Sequence, residues 1–304
     1  MGKRGFAVTT KDAFGLSCAL TTPFLPNGDV DDARLTGHAR NCLREGCGSV
    51  TVFGTTGEGA SFGMAERART IAAFKDAGFD CRRTLIGGVA SAALGDAVEQ
   101  TTMLVDADCK AVLLAPPFYF KGVSDDGLFA WFASLFEKLG GRARDVILYN
   151  IPSVTAVTLS VALIGRLRTA FPDIVSGVKD SSGDWPYTQA LLKAHSDLTI
   201  LIGDERHLAH GVRLGAQGAI SGLANVIAPR LLPLVREGRD DADIVRLVDE
   251  LLKYPVTPAV KALVAHKAAD QSWLRARPPV LALAPADVAA LTGAYAAAFT
   301  DKAA

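Results

Sequence analysis

The sequence has no excess of charge of either sign. Its 304 residues include 32 Lys and Arg residues and 32 Asp and Glu residues, so the formal net charge is zero. A nucleic-acid-binding surface needs a basic excess to neutralise phosphates, and the composition supplies none. We therefore expect no nucleic acid partner and a small molecule as the ligand.

The chain also lacks paired cysteines and uninterrupted apolar runs. Five cysteines, an odd number without a C-x-x-C pair, indicate a reducing compartment. The N-terminus has no apolar stretch before Lys11 and Asp12, which argues against a secretory signal. The apolar stretch 280–299 is interrupted by Pro285 and Asp287, so we expect a turn and an amphipathic helix rather than a membrane span. Together these features predict a soluble, cytoplasmic protein that has no membrane partner.

Short β-branched runs alternate with longer helical patterns along most of the chain, which is typical of successive βα units. The predicted strands are 16–20, 49–53, 84–89, 111–115, 146–149, 174–178, 198–202 and 218–221. The predicted helices are 31–45, 64–77, 94–105, 125–139, 159–170, 184–194, 205–214 and 228–236. Apolar strands that alternate with helices require a parallel sheet covered on both faces.

Eight such units favour an α/β fold of the closed (β/α)8 TIM barrel type, which typically takes ~250 residues. We therefore assign residues 1–238 to the barrel with its active site. Beyond about Asp240 only helical patterns remain, broken by the turn at Arg277-Pro278-Pro279. Residues 239–304 are accordingly predicted to form a C-terminal helical region packed on the barrel.

Active sites of this fold are built from the loops that follow the strands. The loop GTTGEG, residues 54–59, follows the second strand. Its backbone N–H groups and two hydroxyls could bind an anion such as a carboxylate. Its glycine spacing fits neither a dinucleotide-binding motif nor a phosphate loop. An ordinary glycine-rich turn is an equally good interpretation of the spacing alone.

Lys179 directly follows a predicted strand, whereas the other lysines near the predicted elements lie before a strand, in a loop or on a helix. Desolvation lowers a lysine pKa from ~10.4 toward neutrality, which makes the amine a nucleophile toward carbonyls. The alternative is a structural ion pair with Asp180 or a neighbouring loop. Tyr149, at the tip of the fifth strand, could relay protons, although a tyrosine bonded to a backbone carbonyl is the commoner arrangement.

Two other groups have simpler explanations. The aromatic run that contains Tyr119 follows the fourth strand and favours packing or an interface over catalysis. His207 and His210 stand three residues apart near carboxylates, which could form a metal site and would support a metal-dependent lyase. This spacing arises easily by chance on a solvated helix, so we predict no metal ligands.

Seven segments, in this order, resemble the pyruvate-dependent class I aldolases, a family that includes N-acetylneuraminate lyase and dihydrodipicolinate synthase. They are ALTTPF (19–24), GTTGEG (54–59), PPFY (116–119), LYNIPS (148–153), GVKDSSGD (177–184), IGDE (202–205) and GAQGAISGLANVIAPRL (215–231). The resemblance covers the whole chain, and Arg277-Pro278-Pro279 resembles the closing segment of the family. It implies a barrel, a homotetramer built from tight dimers, and no metal or organic cofactor.

The resemblance also implies roles for single residues. Lys179 would form a Schiff base with the keto carbon of pyruvate or another 2-oxo acid, and Tyr149 would shuttle protons. Thr55 and Thr56 would hold the carboxylate of the keto acid, and Thr55 would link Tyr149 to a second tyrosine. That second tyrosine matches Tyr119, which in the family reaches into the active site of the neighbouring subunit.

The remaining matches concern the substrate. Ile220 matches a residue whose backbone lies against the keto acid. Ser181, Asp204 and Glu205 match residues that contact the sugar chain and polyol tail in neuraminate lyases. Val154 stands where dihydrodipicolinate synthases carry an arginine that binds the carboxylate of aspartate semialdehyde, so the bidentate clamp is missing.

The predicted function is a Schiff-base-forming lyase that acts on pyruvate or a hydroxylated 2-oxo acid such as a 2-keto-3-deoxy acid, by aldol cleavage, condensation or dehydration. One alternative is 4-hydroxy-tetrahydrodipicolinate synthase, which condenses pyruvate with aspartate semialdehyde. A metal-dependent lyase and a non-catalytic keto-acid binder are alternatives of other classes, although a pure binder needs no nucleophile such as Lys179.

Overall fold

Eight parallel strands close into a barrel in the computed structural model, which describes residues 14–299. The strands are β1 (Gly15–Ala19), β2 (Ser49–Val52), β3 (Leu85–Val89), β4 (Ala111–Leu114), β5 (Val146–Asn150), β6 (Val175–Asp180), β7 (Thr199–Ile202) and β8 (Gly218–Ser221). Each strand pairs with its sequence neighbours, and β8 closes the ring on β1. The predicted TIM barrel is confirmed. The N-terminal stretch in which no signal was expected, and residues 300–304 of the predicted helical region, lie outside the described residues.

Helices follow the strands and cover the outside of the barrel. They are α1 (Asp32–Arg44), α2 (Met64–Asp76), α3 (Cys81–Thr84), α4 (Leu94–Asp106), α5 (Asp125–Leu139), α6 (Pro152–Thr155), α7 (Val161–Ala170), α8 (Trp185–Ala194), α9 (Glu205–Arg213), α10 (Ala224–Glu237), α11 (Ala242–Leu251), α12 (Val256–Ala268) and α13 (Pro285–Phe299). The predicted boundary at residues 238 and 239 falls between α10 and α11. Within residues 14–299, no helix combines the length and the apolar character needed to cross a membrane.

Several local predictions were wrong. Thr84 is not in a strand, because Asp80 caps the short helix α3 by accepting a hydrogen bond from the backbone of Arg83. The short helix α6 was not expected at all. Helix α10 begins four residues earlier than predicted, and its first turn is separated from the rest by non-helical dihedral angles at Ile227, close before Pro229.

The inward-facing side chains of the strands fill the barrel. They form an apolar cluster separate from the larger one between strands and helices: Ala19, Ile86, Ala111, Leu113, Ala115, Ile147, Tyr149, Ile151, Leu201 and Ile220. Such layers of alternating side chains make the barrel a packed core rather than a pore. A few small polar side chains are buried in this interior as well, and Ser17 and Thr51 satisfy each other there by a hydrogen bond of 3.0 Å.

Strand β6 is longer than predicted, and its register decides which way Lys179 points. Lys179 and Asp180 lie within the strand rather than after it, so that part of the prediction was wrong. The register shifts by one residue between the pairs Val146↔Val175 and Ile147↔Gly177, which is a β-bulge. Beyond the bulge Tyr149 pairs with Lys179, so both side chains face the inside of the barrel.

Arg67 on α2 is a fully buried cation that supports the loop after β2. Its guanidinium donates to the carbonyls of Gly88 at 2.9 Å and Gly59 at 2.6 Å, and it lies 4.7 Å from the ring centroid of Phe53. Burial lowers the pKa of Arg67 to about 10, which still leaves the group charged at neutral pH. The cation thus satisfies carbonyls that no water reaches.

We predict that Arg67→Met lowers the free energy of unfolding by about 3 kcal/mol, because buried carbonyls lose their donor. Arg69→Met on the same helix removes a side chain that is 56% exposed, and should change stability by less than about 0.5 kcal/mol. Urea unfolding of both variants measures the difference. If Arg67→Met lowered the free energy of unfolding as little as Arg69→Met, the Arg67 contacts would not support the fold.

Candidate active site

Lys179, Tyr149 and Thr55 meet at the carboxyl end of the barrel. The Lys179 ammonium lies 3.3 Å from the phenol oxygen of Tyr149 and 4.5 Å from the centroid of its ring. The same phenol oxygen lies 3.4 Å from Oγ1 of Thr55. Lys179 and Tyr149 are each 6% exposed. The structure thus joins the three residues in one chain of proton-exchanging groups.

Asp180 does not act as the ion-pair partner of Lys179, because its carboxylate faces the outside of the barrel. There it accepts hydrogen bonds from the side chains of Asn150 at 3.0 Å and Thr188 at 2.6 Å, and from the backbone N–H of Ser182 at 3.1 Å. Buried carboxylates are stable when their oxygens are satisfied in this way. Asp180 therefore fixes the loop after β6 and leaves Lys179 free to face the cavity.

The loop 54–59 is packed too tightly to be an ordinary surface turn. A Cβ at Gly59 would lie 1.8 Å from the Phe53 carbonyl oxygen, and one at Gly57 would lie 2.7 Å from the carbonyl oxygen of Leu20. The Thr22 hydroxyl donates to the Gly57 carbonyl at 2.7 Å. Glycine is required at both positions because backbone approaches backbone. The loop accordingly holds its hydroxyl residues at a fixed place beside Tyr149.

A cavity of about 270 Å³ opens above Lys179. Thr55, Thr56, Tyr149 and Ile220 line its inner end beside Lys179. Farther out, one wall is polar and consists of Ser181, Ser182, Asp204, Glu205 and Arg206. The rest of the lining is largely apolar and includes Leu223, Val248, Leu251, Leu252, Val256 and Val260. The cavity therefore brings together every predicted site residue except Tyr119, and the C-terminal helices contribute part of its apolar wall.

The polar wall carries Arg206, which the sequence analysis missed. Its guanidinium bonds both carboxylate oxygens of Asp204, at 3.0 and 2.7 Å, and lies 2.9 Å from Asp249. Although burial opposes it, the Arg206 guanidinium holds the pKa of Asp204 below its usual value. The signal available in the sequence was the position of Arg206, directly after the acidic pair that follows β7. One guanidinium between two carboxylates leaves no bidentate face for a substrate carboxylate.

Glu205 on this wall has its pKa shifted in the opposite direction from that of Asp204. Burial raises the pKa of Glu205, while the Ser221 hydroxyl, 2.5 Å from Oε1, opposes that shift. Oε1 of Glu205 accepts a hydrogen bond from Ser221, and the residue lines the cavity, so its carboxyl group can also accept a hydrogen bond from a hydroxyl group there.

Tyr119 lies outside the cavity in the single chain. It is 74% exposed and packs edge-on against Phe120, with 5.3 Å between the ring centroids. A second cavity, of about 250 Å³, lies on the other side of Thr55 and Tyr149 and has apolar walls that include Phe53. The structure therefore does not bring Tyr119 to the other site residues of its own chain.

The two histidines of the metal hypothesis contact an aromatic ring. Trp185 stacks on His207 with 5.1 Å between centroids, and it lies 4.5 Å from the ring centroid of His210. In the part of the chain between residues 14 and 299, no three His, Cys, Asp or Glu side chains are grouped so that they could hold a metal ion. The described geometry thus gives the pair a packing role.

Two residues of α12 were also missed. Lys261 is fully buried and forms an ion pair of 2.7 Å with Glu58, and Thr257 donates to the Thr55 carbonyl at 3.0 Å. A single lysine within the otherwise apolar stretch of residues 258–265 was a usable signal. The partner could not be identified, because the two sequence positions lie about two hundred residues apart.

Comparisons with known proteins agree with this geometry. A family model for the dihydrodipicolinate synthetase family matches residues 12–292. An uncharacterized DapA-like lyase of Chloroflexus aurantiacus is 33% identical over 289 residues, which cover 92% of this chain and 95% of that protein. The crystal structure of dihydrodipicolinate synthase from Agrobacterium tumefaciens superposes with a TM-score of 0.92 at 55% identity, covering 94% of this chain and 99% of that one.

A more distant structure shows how well the fold is shared. YagE, a prophage protein of E. coli solved in complex with pyruvate, is 21% identical and gives a TM-score of 0.84, over 94% of this chain and 98% of that one. At this identity the likeness concerns the fold alone. The family match, by contrast, spans nearly the whole sequence. The chain therefore belongs to the dihydrodipicolinate synthetase family, whose members are lyases of the class I aldolase type.

Proposed function

We propose that this protein is a Schiff-base-forming lyase that acts on pyruvate or another 2-oxo acid. The observation that carries the proposal is the contact of 3.3 Å between the Lys179 amine and the Tyr149 phenol at the inner end of the cavity. A lysine amine is the group that forms imines with ketones, and the adjacent phenol can take and return protons.

The reaction follows from this contact. The uncharged Lys179 amine attacks C2 of the keto acid, and loss of water from the carbinolamine gives an iminium. When the C3–C4 bond breaks, its electron pair moves to C3 and forms an enamine, while the C4 hydroxyl loses its proton and an aldehyde leaves. Protonation of C3 and hydrolysis then release pyruvate. We assign the proton transfers to Tyr149, relayed through Thr55, and the hold on the substrate carboxylate to Thr55 and Thr56.

The outer cavity supports a substrate with an uncharged, hydroxylated tail. Arg206 is occupied by Asp204 and Asp249, so these three groups together carry a net negative charge that repels a second anion. Ser181 and Glu205 offer hydroxyl-binding groups on the same wall. We therefore favour a 2-keto-3-deoxy acid, cleaved by retro-aldol reaction or dehydrated. The apolar part of the lining suits the carbon backbone of such a tail.

Synthesis of 4-hydroxy-tetrahydrodipicolinate is the second candidate. It is favoured by the 55% identity to the Agrobacterium structure that bears the name dihydrodipicolinate synthase. Val154 weighs against it, because this side chain lines the cavity and supplies no cation for the carboxylate of aspartate semialdehyde.

We further propose a homotetramer built from tight dimers, in a cytoplasmic setting. Tyr119 is 74% exposed, and the apolar second cavity beside Thr55 and Tyr149 has room for an aromatic ring. Tyr119 of a second copy would fill that cavity and place its phenol next to Thr55. Five free, buried cysteines are compatible with a reducing compartment.

The first test is imine trapping at Lys179. Incubation with pyruvate and borohydride should add one reduced pyruvate per chain, located on Lys179 by peptide mass analysis, because the imine carbon becomes a stable amine when reduced. Lys193→Met, a lysine on α8 outside the cavity, serves as the matched control and should trap normally. Failure of Lys179 to gain the added mass would contradict the Schiff-base proposal.

Tyr149→Phe should separate binding from proton transfer. We expect imine formation with pyruvate to persist while turnover falls by about 10²-fold or more, because the proton relay is lost. Tyr187→Phe is the control. Among the residues that the structure describes, the one hydrogen-bond partner of the Tyr187 phenol is the backbone carbonyl of Leu159. For both variants, single-turnover kinetics measure imine formation and steady-state kinetics measure turnover. Near-normal turnover of Tyr149→Phe would remove the relay role.

A matched substrate panel tests the charge of the tail. We expect kcat/KM to be at least about 10-fold higher for a 2-keto-3-deoxy acid with a terminal hydroxymethyl group than for the analogue with a terminal carboxylate, because the outer wall is net anionic. Val154→Arg should raise condensation with aspartate semialdehyde by about 10-fold, whereas Leu214→Arg, outside the cavity, should not. A wild-type preference for aspartate semialdehyde would favour the synthase instead.

A further inference from the structure

Lys261 is the second buried lysine near the barrel mouth, and it lies outside the substrate cavity. It has no exposed surface. Its ammonium forms an ion pair of 2.7 Å with Glu58 and donates to the Thr22 carbonyl at 2.6 Å and to the carbonyl of Arg275. The ring centroid of Phe24 lies 4.4 Å from the same nitrogen. This ammonium thus donates two hydrogen bonds and forms an ion pair with a carboxylate, which argues against a nucleophilic role.

The partner carboxylate belongs to the loop that carries Thr55 and Thr56. Glu58 adopts a left-handed backbone conformation with φ of 58°, which is an uncommon state for a residue other than glycine. Its second oxygen accepts a hydrogen bond of 2.8 Å from the backbone N–H of Arg277. The C-terminal region therefore holds this strained residue from two sides, through a side chain and through the backbone.

A second contact from the same helix reaches the loop at Thr55 itself. The Thr257 hydroxyl donates to the Thr55 carbonyl at 3.0 Å, one turn before Lys261 on α12. Thr55 therefore has its backbone fixed by α12 and its hydroxyl beside Tyr149. Since displacing a substrate-binding group by about 1 Å can lower a rate by about 10²-fold, these contacts bear directly on the reaction.

Stability alone gives a poor account of the ion pair. Burying two charges removes them from water, and a buried ion pair is often no more stabilising than apolar residues of the same volume. The pair joins elements about two hundred residues apart, and it ends on the loop whose two threonines line the cavity beside Lys179. The position of the ion pair therefore suits a role in fixing the geometry of this loop.

We propose that Lys261 is a positioning residue, which through Glu58 sets the loop 54–59 so that Thr55 and Thr56 recognise the carboxylate of the 2-oxo acid. The inference rests on the proposed function, because it assumes that the two threonines hold this carboxylate. If the proposal is right, loss of Lys261 should lower the preference for a substrate that carries a carboxylate. Imine formation itself should persist, since Lys179 lies on a different strand.

The experiment compares two probes that carry the same ketone, pyruvate and its uncharged analogue pyruvamide. Borohydride trapping at Lys179 is followed by intact mass at subsaturating probe concentration, and the ratio of the two trapping rates reports carboxylate recognition. The variants are Lys261→Met, the double variant Lys261→Met with Glu58→Gln, and Thr257→Val. Lys267→Met on the same helix is the control, because it removes a partly exposed ion pair with Glu45.

The wild type should trap pyruvate at least about 30-fold faster than pyruvamide, and Lys267→Met should keep that ratio. In the double variant, which leaves no buried lone charge, the ratio should fall by about 10-fold or more while pyruvamide trapping stays within about threefold. Thr257→Val, a nearly isosteric change that removes only the contact to the Thr55 carbonyl, should lower the ratio by about threefold. Circular dichroism establishes that each variant is folded.

The outcomes separate the two levels of the proposal. If the wild type traps neither probe at Lys179, the proposed function fails and this inference fails with it. If the wild type traps both probes equally, the imine chemistry stands but the threonines do not hold the carboxylate, and the positioning role is overturned. If folded variants keep the wild-type ratio within twofold, the role is likewise overturned. Should the Lys261 variants not fold, Thr257→Val decides the question alone.

Discussion

The pairing of β5 with β6 is the constraint on which the site depends. Side chains alternate between the two faces of a strand, so a shift of one residue in register exchanges inside for outside. The bulge near Ser176 adds one residue to β6, and its hydroxyl donates to the Val146 carbonyl at 3.2 Å. Without that residue Lys179 would pair with Asn150 and point toward the helices. With it, Lys179 pairs with Tyr149 inside the barrel.

The same register explains why two adjacent residues have opposite roles. Asp180 pairs with Asn150 on the outer face, where it bonds Thr188 of α8 and anchors the loop after β6. Lys179 faces inward, where the cavity supplies a phenol rather than a carboxylate. A carboxylate that is ion-paired with the amine would favour its protonated, non-nucleophilic form. Turning Asp180 away therefore serves the chemistry proposed for its neighbour.

Much of the fold was predictable because βα alternation is a local signal, and all eight strands were found to within two residues at either end. The inner site was expected near the carboxyl ends of the strands, where barrel chemistry gathers, and Lys179, Tyr149 and Thr55 lie near the ends of their strands or in the loop beyond them. The bulge was not predictable, since residues 174–178 carry no hydrophobic alternation that an extra residue could interrupt. The pairing of Lys261 with Glu58 was not either, because nothing local relates a helix near the C-terminus to a loop near the start.

The helices after the barrel are part of the site rather than an addition to it. Leu251, Leu252 and Val256 form the apolar wall of the cavity, while Thr257 and Lys261 hold the loop that faces it. The barrel strands thus fix the reacting groups, and the C-terminal helices fix the shape of the space around the tail of the substrate. Substitutions in these helices can therefore change substrate choice without any change at Lys179, which gives one barrel a route to different 2-oxo acids.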